Sequence, residues 1–276
     1  MELGLSSLGH INDRKIHTSF ETKIDLLMDA TEACFQFCEE NNIKVCEILL
    51  DPPEITTIEN RLKFVDMCSS YKIKKQLHGP YIDTNLASHN FWSAQAAIET
   101  YTEVAKVCRA LGAETYTIHP GSSKFMGFPN KKFVMDRLIS STNSLLDNIS
   151  NLNLITCIEN MQKKTGILRD LEDITEFFTR INREDIFLTW DTSHSWTCDV
   201  DIKELWEKWH PIIKNVHIVD NTTKTSDIHP ALGTGKIDLR EIIKLLRDYN
   251  YEGSLIIELG TAADSKRSIE HVQKFL

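Results

Sequence analysis

TCIENM, residues 156–161, is a short run of β-favouring and apolar residues that closes on an acid, and the recurrence of its form decides the fold. The form returns as LHGPY at 77–81, TIHPG at 117–121, LTWDTSH at 188–194, NVHIVD at 215–220 and LIIELG at 255–260. Each is an apolar, strand-like segment whose last residues include a histidine or a carboxylate. Working outward, these segments extend to strands at 154–159, 73–79, 115–119, 186–191, 213–219 and 254–258. Two more precede them, at 3–7 and 43–50. Helical spacing fills the gaps, for example at 23–41, 91–111, 132–149 and 239–248. Leu111-Gly112 reads as a helix stop, since glycine takes the left-handed conformation without strain. Asp238, ahead of Leu239 and Glu241, reads as a helix cap.

Eight strands and eight helices in strict alternation demand parallel pairing, because each return crossover needs a helix. Eight such units in 276 residues have the size and rhythm of an α/β, (β/α)8 TIM barrel. An open doubly wound sheet would carry a glycine-rich phosphate turn after its first strand, and SSLGHINDR at 6–14 is a poor version of one. No linker or composition break divides the chain, so residues 1–276 read as one domain.

A hydrophobic content of 41% is ample for a core. No apolar run has membrane-spanning length, and MELGLSSLGH lacks the basic start and apolar stretch of a signal peptide. Seven cysteines without paired spacing point to a reducing compartment, so a cytoplasmic protein with no membrane partner is expected. Cys34 and Cys38, four apart on an apolar helical pattern, read as core residues, and Cys157 reads as a buried neighbour of Glu159. The net charge of −9, from 40 acids against 31 basic residues, gives no support to nucleic-acid binding. It does not exclude it, because acids beneath metal ions are neutralised locally.

Active sites of such barrels occupy the C-terminal ends of the strands. His78, His119, Glu159, Asp191, His194, His217, Asp227, His229 and Glu258 all fall there or in the loops just after. Of the other histidines, His17, His89, His210 and His271 do not follow the pattern, whereas His10 lies near the rim and is a candidate substrate contact. One histidine at a strand end usually only makes a hydrogen bond. An acid such as Glu159 or Glu258, flanked by Ile and Leu, needs a cation or a proton to be buried. Nine donors exceed what one ion takes, and two or three divalent ions bridged by carboxylates would use them all. Nitrogen and oxygen donors without thiolate suit zinc, manganese, iron or cobalt. Such a cluster orients a nucleophile while stabilising the attacking and leaving oxygens of a phosphate ester. Asp191 and His194 are three apart, and Asp227 and His229 face one way if their loop is extended.

HPGS at 119–122, IEN at 158–160, DTSH at 191–194 and DIHPALGTGKID at 227–238 together resemble the endonuclease IV family, a branch of the xylose isomerase-like barrels. The resemblance runs from about His78 to Glu258. It implies cleavage of DNA 5′ to an abasic site by three zinc ions, with all nine residues above as ligands. It also implies that Glu159 both bridges ions and acts as base for the attacking water, and that Tyr81 packs against the opened DNA. The front of the chain departs from that pattern. GLSSLGH at 4–10 replaces a histidine-bearing strand end with its glycine-rich loop, and LLDPPEI at 49–55 lacks the arginine of a DNA-entering loop.

HGPYIDTNLASHN at 78–90, and Glu47 within VCEIL, resemble the sugar isomerase and epimerase relatives instead. A metal-dependent sugar or sugar-phosphate isomerase would hold one ion with Glu159, Glu258, Asp191 and His217, the two glutamates moving a proton. The five remaining donors are surplus to that chemistry, so the hydrolase is the preferred reading. The expected partner is abasic DNA or, on the alternative, a small sugar or sugar phosphate. Lys124, Lys163, Lys164 and Lys224 follow strands near the site and offer charge to phosphates. Tyr81, Lys224 and Trp196 form the expected substrate-binding set, Trp190 reads as packing, and Asp220 and Asn221 read as orienting His217.

Overall fold

A computed structural model describes residues 1–17, 20–51, 57–122 and 131–276; Lys124 and residues 52–55 of LLDPPEI lie outside them. Eight strands close into a parallel barrel in chain order: β1 (Glu2–Ser6), β2 (Val45–Leu49), β3 (Lys74–His78), β4 (Thr115–Ile118), β5 (Ile155–Glu159), β6 (Ile186–Asp191), β7 (Ile213–Ile218) and β8 (Ser254–Ile257). Closure is made by β1 against β8, with Leu3 opposite Leu255 and Leu5 opposite Ile257. The expected barrel is therefore the observed one, and its strands fall within a residue or two of the expected bounds.

The helices number ten among the described residues rather than eight. They are α1 (Leu8–His17), α2 (Lys23–Glu40), α3 (Ile58–Ser69), α4 (Phe91–Ala110), α5 (Lys131–Ile149), α6 (Leu171–Ile181), α7 (Thr192–Thr197), α8 (Ile202–Trp209), α9 (Leu239–Asp248) and α10 (Ser265–Gln273). The surplus arises because β1 and β6 are each followed by two helices. At α7 the cause is local: Asp191 caps the helix, its side chain accepting the His194 backbone N–H at 2.6 Å. Asp238 caps α9 in the same way, accepting from the Glu241 N–H at 3.0 Å. Gly112 ends α4 with φ +69°. None of the described helices is long and apolar enough to cross a membrane.

Side chains alternate along each strand. The outward set, including Leu77, Tyr116, Ile158, Leu188, Trp190, Val216 and Leu255, packs with the inner faces of the helices in one apolar cluster. Each such buried aliphatic side chain contributes about 1.5–3 kcal/mol. Cys34 and Cys38 lie in this cluster on α2, as expected, and the Cys34 thiol is 3.5 Å from that of Cys46 on β2. The inward set is different. Glu47, Gln76, Thr117, Thr189 and Asn215 are buried and hydrogen-bonded to one another across the lumen, so this level of the barrel is polar.

Candidate metal centre

Two residues further along the strands, the same alternation puts the next inward side chains at the C-terminal mouth. Gln76 is followed by His78, Thr117 by His119, Cys157 by Glu159, Thr189 by Asp191 and Asn215 by His217. Period-two geometry thus stacks the candidate donors directly on the polar layer. All nine residues expected at the rim are brought together there.

Their donor atoms fall into three groups. In the first, His78 Nε2 and His119 Nε2 lie 3.3 and 2.9 Å from Glu159 Oε2. In the second, His217 Nδ1 lies 3.4 Å from Glu159 Oε1 and 3.7 Å from Glu258 Oε2, while Asp191 shares an ion-sized space with Glu159 and His194 and so adjoins both this group and the third. In the third, Asp227 Oδ2 lies 2.9 Å from His194 Nε2 and 2.7 Å from His229 Nε2. Glu159, 1% exposed, belongs to the first two groups, which is the geometry a bridging carboxylate needs.

Local structure fixes most of these side chains. His78 Nδ1 donates to the Gly79 carbonyl at 2.7 Å and His194 Nδ1 to the Asn160 carbonyl at 2.8 Å, so both rings turn Nε2 toward the acids. Asn160, which the sequence reading did not single out beyond the IEN motif, also holds Asp191: its Oδ1 accepts the Asp191 N–H at 2.7 Å. Asp227 is held by a relay in which Asn221 donates to Ser193 Oγ and Ser193 to Asp227 Oδ1, at 2.9 and 2.8 Å. Asp227 and His229 do meet, but not through an extended loop: His229 has φ +44°, a left-handed turn that swings its ring back.

Burial opposes ionisation of Glu159, yet the imidazoles of His217 and His119 outweigh it and hold the carboxyl well below its usual range. Asp191 shows the other outcome, since burial is its largest influence and pushes it up to about 7. Burial lowers His229, but Asp227 overrides it and raises the ring to about 9. Asp191 Oδ2, His217 Nδ1 and His229 Nδ1 are buried and make no hydrogen bond among the described residues. Unsatisfied, converging atoms of this kind are costly unless something binds them. Buried oxygen and nitrogen donors, with no thiolate among them, fit divalent cations.

Above the donors opens a cavity of about 740 Å³, the size of a small-molecule site. Tyr81 lines it, its ring 5.3 Å from that of His119, and Asp51 anchors the Tyr81 and Ile82 N–H groups at 3.0 and 2.9 Å. Leu8 and Asn12 of α1 also line it, so the divergent GLSSLGH segment leads directly into one wall. The rest of the wall is largely neutral and polar, with Asn85, Ser88, Ser93, Gln162 and Thr165; among the described lining residues none is lysine or arginine.

Three expectations need correction. Lys224 and Trp196 are not on the described cavity wall: the Lys224 ammonium pairs with Asp199 and sits 4.8 Å over the Trp196 ring. His10 is buried behind the wall, its ring 6.0 Å from Phe37, because α1 begins immediately after β1 and turns that face inward. Asp220 does not touch His217. Its carboxylate accepts the N–H groups of Asn221, Gly233, Gly235 and Ile237 and so moulds the loop beyond Asp227. A side chain on Gly235 would meet Asp220 Oδ1 at 2.0 Å, which is why the GTG sequence suits that turn. What stands behind His217 Nε2 is instead Glu47 Oε1, 2.9 Å away, and the Asn215 amide, 3.1 Å away.

Comparison with known proteins agrees with this architecture. A family model described as a xylose isomerase-like TIM barrel matches residues 35–276. An uncharacterized protein of Methanocaldococcus jannaschii is 24% identical over 241 residues, 86% of this chain and 82% of its own. A probable endonuclease 4 of Thermosipho africanus is 26% identical over 235 residues, 77% of this chain and 81% of its own. Among solved structures, a D-tagatose 3-epimerase-like protein superposes with TM-score 0.83 over 100% of this chain and 97% of its own, at 22% identity, a likeness of fold.

Proposed function

This chain belongs to the xylose isomerase-like TIM barrel family, and from that premise we propose that it is a metal-dependent phosphodiester hydrolase of the endonuclease IV type, cleaving DNA at abasic sites. One observation carries the reading: nine donors in three groups, joined through Glu159, are more than a single-ion isomerase requires. The similarity to a probable endonuclease 4 supports it. Two or three divalent ions, zinc by donor chemistry with manganese as the alternate, would supply a nucleophilic water at neutral pH and neutralise charge on the phosphate. His78 and His119 would hold one ion, Asp191, His217 and Glu258 a second, and His194, Asp227 and His229 a third. Glu159, kept ionised among imidazoles, takes the proton of the attacking water. Tyr81, anchored through Asp51, packs against the sugar exposed at the lesion.

A second reading, a sugar or sugar-phosphate isomerase or epimerase, is favoured by the cavity wall. Neutral amides and hydroxyls suit a polyhydroxylated molecule, whereas DNA phosphates favour lysine and arginine. Glu159 and Glu258 would then exchange a proton at the carbons flanking a carbonyl. Incubating the metal-replete protein with an abasic-site duplex and, separately, with a ketose panel decides between them. The hydrolase reading expects nicking together with more than one ion per chain. Epimerisation with one ion, and no nicking in any metal, overturns it.

A further inference from the structure

On the reading that His217 is a metal donor, we propose that Glu47 is a positioning residue whose carboxylate holds the His217 ring with its proton on Nε2 and its Nδ1 lone pair aimed at the metal centre. Glu47 points into the barrel from the middle of β2 and is 0% exposed. A carboxylate so buried is costly unless its oxygens are satisfied. Oε2 accepts from Gln76 Nε2 at 2.8 Å and from Asn215 Nδ2 at 2.9 Å. Oε1 is buried with no donor aligned on it among the described residues, and it lies 2.9 Å from His217 Nε2, so its free acceptor capacity faces that nitrogen.

The arrangement singles out this ring. His78 and His194 turn Nε2 toward the acids because backbone carbonyls hold their Nδ1–H groups. His217 is reversed, presenting Nδ1 to Glu159 and Glu258, and the group behind it is a full carboxylate, which strengthens the ring as a donor.

Asn215 makes the role of Glu47 necessary. Its Nδ2 lies 3.1 Å from His217 Nε2, and an amide donating there would drive the ring proton to Nδ1, the nitrogen a cation needs bare. The nearest acceptor of that amide is the Glu47 Oε2 carboxylate oxygen at 2.9 Å, and Thr117 Oγ1, at 3.2 Å, competes with the ring for the second hydrogen. On this proposal Glu47 acts twice: Oε2 gives the Asn215 amide its shortest contact, and Oε1, 2.9 Å from Nε2, is the acceptor toward which the ring proton is drawn.

Glu47→Gln tests this, because the donors Gln76 and Asn215 hold the new amide oxygen and leave its NH₂ facing Nε2. In Glu47→Gln, cobalt titrated against a competing chelator should bind about 10- to 100-fold more weakly at one position. Nitrogen-15 spectra of the zinc-loaded parent should show the His217 proton on Nε2, and those of the variant should show it on Nδ1. Glu47→Gln/Asn215→Asp, which returns a carboxylate to the other neighbour of Nε2, should restore both. Unchanged cobalt affinity with the proton still on Nε2 overturns the proposal. Weaker binding with the proton unmoved and no rescue also overturns it, since a merely structural acid behaves that way. His217→Ala separates the premise: if it holds as many cobalt ions as tightly as the parent, the reading of His217 as a donor is what fails.

Discussion

The two ends of β7 carry the same residue type to opposite purposes. His210, just before the strand, is half-buried at the N-terminal face, its Nδ1 donating to the Trp206 carbonyl at 3.0 Å. Its ring stacks 5.9 Å from Trp206 and lies 5.0 Å from Tyr249. Nearby charges are exposed, as in the Lys74–Glu2 pair at 2.6 Å, and such pairs contribute little. His217, at the other end, is fully buried among Glu47, Glu159 and Glu258. Its usable nitrogen makes no hydrogen bond among the described residues. The contrast teaches that a histidine in this barrel is read by the strand end it occupies. The lower face packs its imidazole as an aromatic ring, and the upper face spends solvation to keep donors bare.

The largest effect should come at the upper end. Glu159→Gln removes the charge that joins two donor groups while keeping the side chain's shape, so turnover should fall on the order of 10³-fold. The circular dichroism spectrum should stay that of the parent. Reversible removal of metal by a chelator should cause the same loss. Near-parental turnover in the variant would take Glu159 out of the chemistry and erase the functional half of the contrast.

A third histidine shows burial prevailing over a neighbouring carboxylate, that of Asp13. Burial, aided by the Arg14 guanidinium, lowers the His10 imidazole from 6.5 to about 4. The unfolded chain takes up this proton near 6.5, so the stabilisation is full above that pH and is lost as pH falls toward about 4. The whole span corresponds to roughly 3 kcal/mol. Urea unfolding at about pH 7 and about pH 4 should therefore show a shallower loss in His10→Gln than in the parent. Equal losses would mean that the fold does not keep this ring neutral.

The smallest effect belongs to the lower end. His210→Ala removes a packed ring and one hydrogen bond, so stability should drop by about 1 kcal/mol. Metal content should match the parent in elemental analysis. A variant depleted of metal would show the two ends to be coupled and would break the comparison.

The alternation of strands and helices was legible because each period is a local property of the chain. The donors His78, His119, Glu159, Asp191, His217 and Glu258 were legible for the same reason, since each sits at or just past the end of an apolar strand. Lys224 and Trp196 follow strand ends in sequence, but only the tertiary structure shows their side chains against each other and Asp199 rather than on the described cavity wall. Asp220 misled because adjacency to His217 says nothing about where its carboxylate points, and it points to Gly233 and Gly235.

By itself, then, the sequence determined a parallel barrel and a rim of donors, since both follow from side-chain periods and strand ends. Tertiary structure alone decided which donors share an ion-sized space, that His229 returns through a left-handed turn, and that Glu47 stands behind His217. Those facts depend on barrel closure, which sets β2 and β7 facing across the lumen although 168 residues separate Glu47 from Asn215. No local pattern encodes a distance across a closed sheet.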